Sequence, residues 1–375
     1  MDSPNQRQVF RLNPSDVVGG SREWVRSFEM EPFRPRRGLR SGHAQTIASH
    51  LLTRRHALPP PERVLVRVEP DVQVLCVCHW QAERQRALTL VILHGLEGSS
   101  DSQYVVGTAD KGWVAGMNVV RMNVRNCGGT EKLAATLYHS GMSDDIDRVV
   151  RFFIERDRLT RVFLAGFSMG GNQVLKLVGE WGAQHPEEVI GVATICPAMD
   201  LGPSADAIHS LQNRLYEWRF LMSLRGRMKR KVELFPEKFK VERWWWKSIR
   251  DFDNAMTAPA FGFADASDYY DRASSSRVLE HIGMPALVVH AKDDPFIRIT
   301  PATYEKLRAN PWIRFYESEH GGHCGFLGEP PKGERFRQSA SAEVRGTGAA
   351  PDDGRWAERQ IIRFSQRCFA ARTGY

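Results

Sequence analysis

RVFLAGFSMGGNQVLKLVGE, residues 161–180, is the stretch on which the fold turns. Residues 161–165 form a short apolar run with strand character that stops at Gly166. Residues 172–178 then place Val174, Leu175 and Val178 on one side of a helix. Between them lies Gly166-Phe167-Ser168-Met169-Gly170, a G-x-S-x-G sequence at a strand-to-helix turn. In that context Ser168 is a candidate nucleophile on a sharp elbow, and Gly166 and Gly170 let the backbone pass close to its neighbours. The same residues also suit a tight turn with an ordinary capping serine, so the chemistry has to be sought in partners elsewhere.

Working outward, strand and helix patterns alternate. Residues 63–68 and 72–80 read as an antiparallel pair around a Glu-Pro-Asp turn. Residues 87–93 are a near-continuous apolar strand suited to the middle of a sheet covered on both faces. Residues 104–113, 118–124 and a helix opened by Ser143 follow, then the elbow strand and a strand over 189–196. This βα rhythm predicts an α/β architecture with a mostly parallel central sheet flanked by helices on both faces. Residues 201–280 break it with a helical cap insertion in which Leu211, Leu215, Trp218, Leu221 and Met222 recur at helical spacing. The sheet resumes at 285–290 and 312–316, and Trp356, Ile361, Phe364, Cys368 and Phe369 suit a closing amphipathic helix. The expected divisions are an N-terminal arm and helix (1–60), core (61–200), cap (201–280), core (281–328), a loose Pro/Gly/Ser-rich insertion (329–354) and the final helix (355–375). Near the start, residues 41–54 read as a helix capped by Ser41, with Ile47, Leu51 and Ala44 as its apolar side.

A serine hydroxyl needs a base within hydrogen-bond reach and an acid to orient that base. In the order nucleophile, acid, histidine, the acid belongs after a late strand, where Asp294 is preferred over Asp293 because of the Asp-Pro turn beside it. The base belongs on the loop after the last strand. There His323 is preferred over His320, since Gly321, Gly322 and Gly325 free the backbone to present its ring. His290 precedes the acid and breaks the order, and His94 suits the opposite wall. The oxyanion donors would be the backbone N–H groups of Met169 and, from the His94-Gly95-Leu96 turn, Leu96.

Several other chemistries find no support. Cys76, Cys78 and His79 lack a second ligand pair at finger-like spacing, so no metal site is expected. No G-x-G-x-x-G or P-loop follows a strand, and no cofactor is expected. A net charge of +8 mixed with 44 acidic residues does not indicate nucleic acid. The six cysteines, with no apolar signal core in MDSPNQRQVFRLNPSD, predict a reduced, cytoplasmic protein without disulfides. The basic run over 225–231 followed by Trp244-Trp245-Trp246 suits peripheral contact with an anionic membrane, or else a solvated helix flank packed with aromatics.

The chain resembles the YheT-like branch of the α/β-hydrolases, also called the AB-hydrolase family 4 group. The resemblance rests on RSGHAQTIAS at 40–49, HGLEGSS at 94–100, NVRNCGG at 123–129 and LYHSG at 137–141. It continues through GFSMGGN at 166–172, FDN…TAPAFGF…YY between 252 and 270, AKDDP at 291–295 and GGHCGF at 321–326. It implies a serine hydrolase of carboxylesterase type with Ser168, Asp294 and His323 as its triad. Members act on acylglycerols or phospholipids, or transfer medium-chain acyl groups to alcohols. The expected substrate is therefore a small acyl ester or lipid of short to medium chain. An acyltransferase, a lipase, and a non-catalytic binding module on the same scaffold are the alternatives.

Overall fold

The computed structural model describes residues 22–54, 56–241, 244–329 and 353–373. Nearly all of the Pro/Gly/Ser-rich insertion, residues 330–352, and the first 21 residues lie outside the described part. Among the described residues eight strands form one sheet: β1 Glu62–Glu69, β2 Val72–His79, β3 Thr89–Leu93, β4 Asn118–Met122, β5 Val162–Phe167, β6 Val189–Ile195, β7 Ala286–Ala291 and β8 Ile313–Ser318. Their order is β1-β2-β4-β3-β5-β6-β7-β8, and β1 and β2 are antiparallel to their neighbours while the rest run parallel.

Among the described residues twelve α-helices accompany the sheet. They are α1 Glu23–Ser27, α2 Gly42–Leu51, α3 Gln103–Val114, α4 Asp144–Asp157, α5 Met169–Trp181, α6 Leu201–Ile208 and α7 Arg214–Leu234, then α8 Ile249–Phe252, α9 Ala258–Ala260, α10 Ala266–Ala273, α11 Pro301–Ala309 and α12 Trp356–Thr373. Every residue of β3, β5, β6 and β7 is buried, as an apolar run covered on both faces requires. Side chains alternate between two cores. Leu90, Ile92, Phe163 and Val289 pack with Val105 of α3 and Phe364 of α12. Val91, Leu93, Leu164 and Val288 pack with Val149 and Phe153 of α4 and Val174 and Val178 of α5.

The topology fixes where a site can form. From β3 the chain passes first to β4 on one side and then to β5 on the other, so the loops after β3 and β5 diverge above neighbouring strand ends. Leu93 pairs with Gly166, which sets the His94 loop beside the Ser168 elbow. A crevice at the carboxyl ends of parallel strands, where the strand order reverses, is the usual place for a ligand in such sheets.

Four local expectations are corrected. Ser41 and Ser143 occupy the positions before α2 and α4, but neither hydroxyl caps its helix, and Ser143 Oγ donates instead to Glu180. The presumed apolar side of α2 faces outward: Ile47 and Leu51 are exposed, while Gly42 and Gln45 are buried. The basic run is a solvated flank only in part, since Lys229 and Arg230 are exposed while the rest is engaged by neighbouring groups. Arg225 donates to the carbonyls of Trp244 and Trp246, Arg227 pairs with Glu97, and Arg230 pairs with Glu131. Lys231 is fully buried on Asn126 Oδ1 and on the carbonyls of Glu131 and Ala134. Of the three tryptophans, Trp246 is core and Trp245 is exposed.

Candidate active site

The elbow is built by close approach. Ser168 adopts φ 54° and ψ −118°, outside the regions open to an unstrained L-residue, which is tolerated where the surroundings hold it. A Cβ at Gly166 would come within 2.5 Å of the Gly170 carbonyl oxygen, and one at Gly170 within 2.5 Å of the His94 carbonyl oxygen. Both positions therefore need glycine for backbone approach. Ser168 makes no side-chain cap to α5. Its Oγ lies 2.9 Å from His323 Nε2.

His323 Nδ1 lies 2.8 Å from Asp294 Oδ2. Asp294, in the loop after β7, is fixed by the N–H groups of Phe296 and Ile297, each donating to Oδ1 at 2.9 Å. These bonds aim the other oxygen at the histidine. Burial works to raise the Asp294 carboxyl, but the facing His323 ring, with His290 and the Ile297 N–H, outweighs it and holds the group below its ordinary value. In His323, burial works against the charged form, yet the Asp294 charge, with Cys324, overrides it and raises the imidazole above its ordinary value. The pairing makes His323 a stronger proton acceptor than a free histidine. Phe296 packs on its ring with centroids 4.4 Å apart.

The rival pair is also side by side, but elsewhere. Asp293 faces His320 Nδ1 at 3.5 Å, and its Oδ1 accepts from the Gly322 N–H at 2.8 Å. It braces the histidine loop from behind without reaching Ser168. Helix α2 adds a second brace, since Thr46 Oγ1 accepts from the His323 N–H at 2.9 Å. Gln45 also accepts from the Leu327 N–H and donates to the Leu327 carbonyl. Sequence reasoning gave α2 no part in the site. The Gly42 position carried a signal: a Cβ there would sit 1.8 Å from the Asp293 carbonyl oxygen.

His94 is fully buried. Its Nδ1 lies 2.7 Å from the Gly95 carbonyl oxygen and its Nε2 accepts the Val124 N–H at 3.1 Å, so the neutral ring splints the ends of β3 and β4. Burial, chiefly, pushes its pKa down to about 4. Gly95 N–H donates to Tyr104 OH at 2.9 Å, fixing the loop that carries Leu96. Leu96, Met169, Ser168 and His323 line one cavity, roofed by Phe220, Leu224 and Met228 of α7. Met169 opens α5, where the first N–H groups have no intrahelical acceptor.

A network missed in the sequence joins this loop to the cap. Glu97, next to Leu96 and held at φ 57°, accepts from Tyr138 OH at 2.8 Å and from Ser223 Oγ at 2.5 Å. It also pairs with Arg227 at 2.7 Å, and the guanidinium lies over the Tyr138 ring. Starting within FDN, the chain makes a short π-helix, Asp253–Thr257, and the buried Asp253 accepts from the Thr257 and Tyr270 hydroxyls at 2.6 and 2.7 Å.

Metal-ligating atoms converge in two groups among the described residues, Cys196/His323/Cys324 and Cys196/His290/Asp294. Both share atoms with the hydrogen-bonded chain: the two nitrogens of His323 already face Ser168 and Asp294. Cys76 and Cys78 sit in an apolar core, while the alternating strand turns His79 to the other face, against Arg121. Among the described residues no helix is long and apolar enough to cross a membrane.

Comparison with known proteins agrees with this architecture. The Escherichia coli (strain K12) protein YheT, assigned as an esterase, is 32% identical over 301 residues, covering 79% of this chain and 87% of that one. Phospholipase ABHD3 of Mus musculus is 28% identical across 64% of this chain and 58% of its own length. The medium-chain fatty acid ethyl ester synthase/esterase 2 of Saccharomyces cerevisiae (strain ATCC 204508 / S288c) is 27% identical across 70% of this chain and 63% of its own. Residues 89–330 match the alpha/beta hydrolase fold family model, and with it the chain belongs to the α/β-hydrolase family.

Proposed function

We propose that the protein is a cofactor-free serine hydrolase of carboxylic esters, with Ser168 as nucleophile, His323 as general base and acid, and Asp294 as the orienting carboxylate. One observation carries this reading: the continuous chain from Ser168 Oγ to His323 Nε2 at 2.9 Å and from His323 Nδ1 to Asp294 at 2.8 Å. Ser168 Oγ attacks the ester carbonyl carbon as its proton passes to His323 Nε2. The carbonyl oxygen becomes the oxyanion, facing the N–H groups of Leu96 and Met169, and each preorganised donor of this kind contributes about 3 kcal/mol. As the tetrahedral intermediate collapses, the C–O bond to the alcohol breaks and His323 returns the proton to the leaving oxygen. Water then repeats the sequence on the acyl-enzyme, releasing the acid.

The cavity wall above Ser168 is apolar, with Leu137, Leu201, Phe220 and Leu224 among its lining residues, which suits a short- to medium-chain acyl group. Lipid esters such as acylglycerols or phospholipids fit the same chemistry, and a phospholipase is among the relatives. A second reading is favoured by the yeast relative named as both synthase and esterase: an alcohol replaces water in the second half, and the product is a new ester.

A fluorophosphonate probe should label Ser168 in the full chain. Ser168→Ala should lose labelling and at least ~10⁴-fold in kcat/KM on p-nitrophenyl esters. A Ser168→Ala protein that retains hydrolysis refutes the assignment, and folded protein without any labelling favours a binding module. Adding ethanol separates the two enzymatic readings, because a hydrolase yields mainly free acid and an acyltransferase yields ethyl ester.

A further inference from the structure

Helix α7 has two working faces. Phe220, Leu224, Arg227 and Met228 look into the cavity over Ser168. At about 100° per residue, Leu215, Trp218 and Met222 fall within an arc of roughly 60° on the opposite side. They are 83%, 61% and 46% exposed, and Leu211, in the turn leading into the helix, is 84% exposed. An apolar stripe of this size on one helix face ordinarily marks something that covers it.

The surroundings say what kind of surface that is. Arg214 and Arg219 are exposed on either flank of the stripe, with Lys229 exposed about two turns beyond Met222. The only acid between residues 207 and 232 is Glu217, which is buried. Helix α2 lies against α7 through His43 Nδ1 and Tyr216 OH at 3.1 Å and through Arg219 and His50 at 2.5 Å. It exposes Ile47, Leu51 and Leu52, and no acid occurs between Glu31 and Glu62. Leucine and tryptophan between long cationic side chains, with no exposed acid in α2 and none in α7 before Glu233 in its last turn, match a surface with an apolar interior beneath an anionic layer of head groups.

We propose that the outward face of α7, flanked by α2, docks the enzyme on an anionic lipid interface and sets the roof of the active-site cavity against the lipid. The basic run over 225–231 takes little part, since its arginines and Lys231 are engaged inward. The proposal rests on the ester-hydrolase reading for its purpose, though its test does not. The full chain is floated with phosphatidylcholine vesicles and with vesicles containing phosphatidylglycerol, and the double variant Leu215→Glu/Trp218→Glu is compared.

Wild type should float with the anionic vesicles and much less with the neutral ones, and the variant should lose about tenfold or more in vesicle affinity. The variant's hydrolysis of a soluble p-nitrophenyl ester should stay within about twofold, because neither residue lines the cavity. Three results overturn the proposal: wild type that ignores both vesicle types, a variant that floats as well as wild type, or a wild-type dimer made monomeric by the variant with no vesicle binding. If vesicles bind through the stripe but no ester is cleaved, docking stands and the hydrolase reading fails.

Discussion

In β3 and β5 every side chain is buried and nearly all are apolar, whereas α7 turns Leu215 and Trp218 to solvent and buries Glu217, Arg227 and Lys231. Both segments come from one chain and both are regular. They differ in what they pack against. The central strands lie between two helical layers that meet them with largely apolar side chains, and their backbone is already paired in the sheet. Helix α7 lies across loops. It meets the carbonyls of Glu131 and Ala134, the Asn126 amide, and the carboxylates of Glu97 and Glu131. Cations complement that surface, so α7 buries Arg227 and Lys231 on the same inward side as the apolar Leu221, Leu224 and Met228. Apolar residues inside is a one-way rule, and the informative cases are buried charge and exposed apolar surface.

This contrast can be tested where it should matter most, at the strand ends. Asp294→Asn should cost about 10⁴-fold in kcat, because the amide orients His323 in the wrong tautomer. Asp293→Asn should cost less than about tenfold, as its carboxylate reaches only His320 and the Gly322 N–H. The same pair predicts a pH signature. Since Asp294 raises His323, the neutral base appears only above the ordinary histidine value, and kcat/KM should fall with acid from a midpoint above about 6.5. The Asp294→Asn midpoint should move down, and an unmoved midpoint breaks the link.

Within α7, Lys231→Ala should lose about 2–4 kcal/mol in urea unfolding, because buried carbonyl acceptors and the Asn126 amide lose their donor. Leu215→Gln on the outer face should change stability by less than about 0.5 kcal/mol. Equal losses would erase the distinction between the two faces. An effect smaller than that of Lys231→Ala belongs to the joint between the two regions. Glu97→Gln and Arg227→Met should each lower kcat about 10-fold with little change in KM, if the cap's grip on Glu97 holds the Leu96 N–H in place. A change confined to KM would make the network a pocket wall instead.

Much of this was legible in one dimension. The apolar runs at 87–93, 161–165 and 285–290 are the middle of the sheet, and the period of α4 is its buried stripe. The elbow was legible because G-x-S-x-G combines a residue type with a backbone requirement. Helix α2 was misread, since its periodic Ile47 and Leu51 look like a core side, while the residues that pack on the histidine loop are the small or polar Gly42, Gln45 and Thr46. A hydrophobic pattern cannot report such a contact. Nor could it reveal that Glu97, Tyr138, Ser223 and Arg227, spread over 130 residues, meet at one point.

Sequence alone determined the alternation of elements, the sharp strand-to-helix elbow at Ser168 and the order in which Ser168, Asp294 and His323 follow one another, because these depend on local periodicity, turn chemistry and chain order. Tertiary structure alone decided which of two adjacent aspartates faces His323. Neighbouring loop residues point apart, and the N–H groups of Phe296 and Ile297 turn Asp294 inward while that of Gly322 holds Asp293 away. It also decided the orientation of α7. Both sides of this helix carry apolar and cationic residues, and the side that bears Arg227 and Lys231 turns in because polar loops contributed from far along the chain accept their hydrogen bonds and ion pairs.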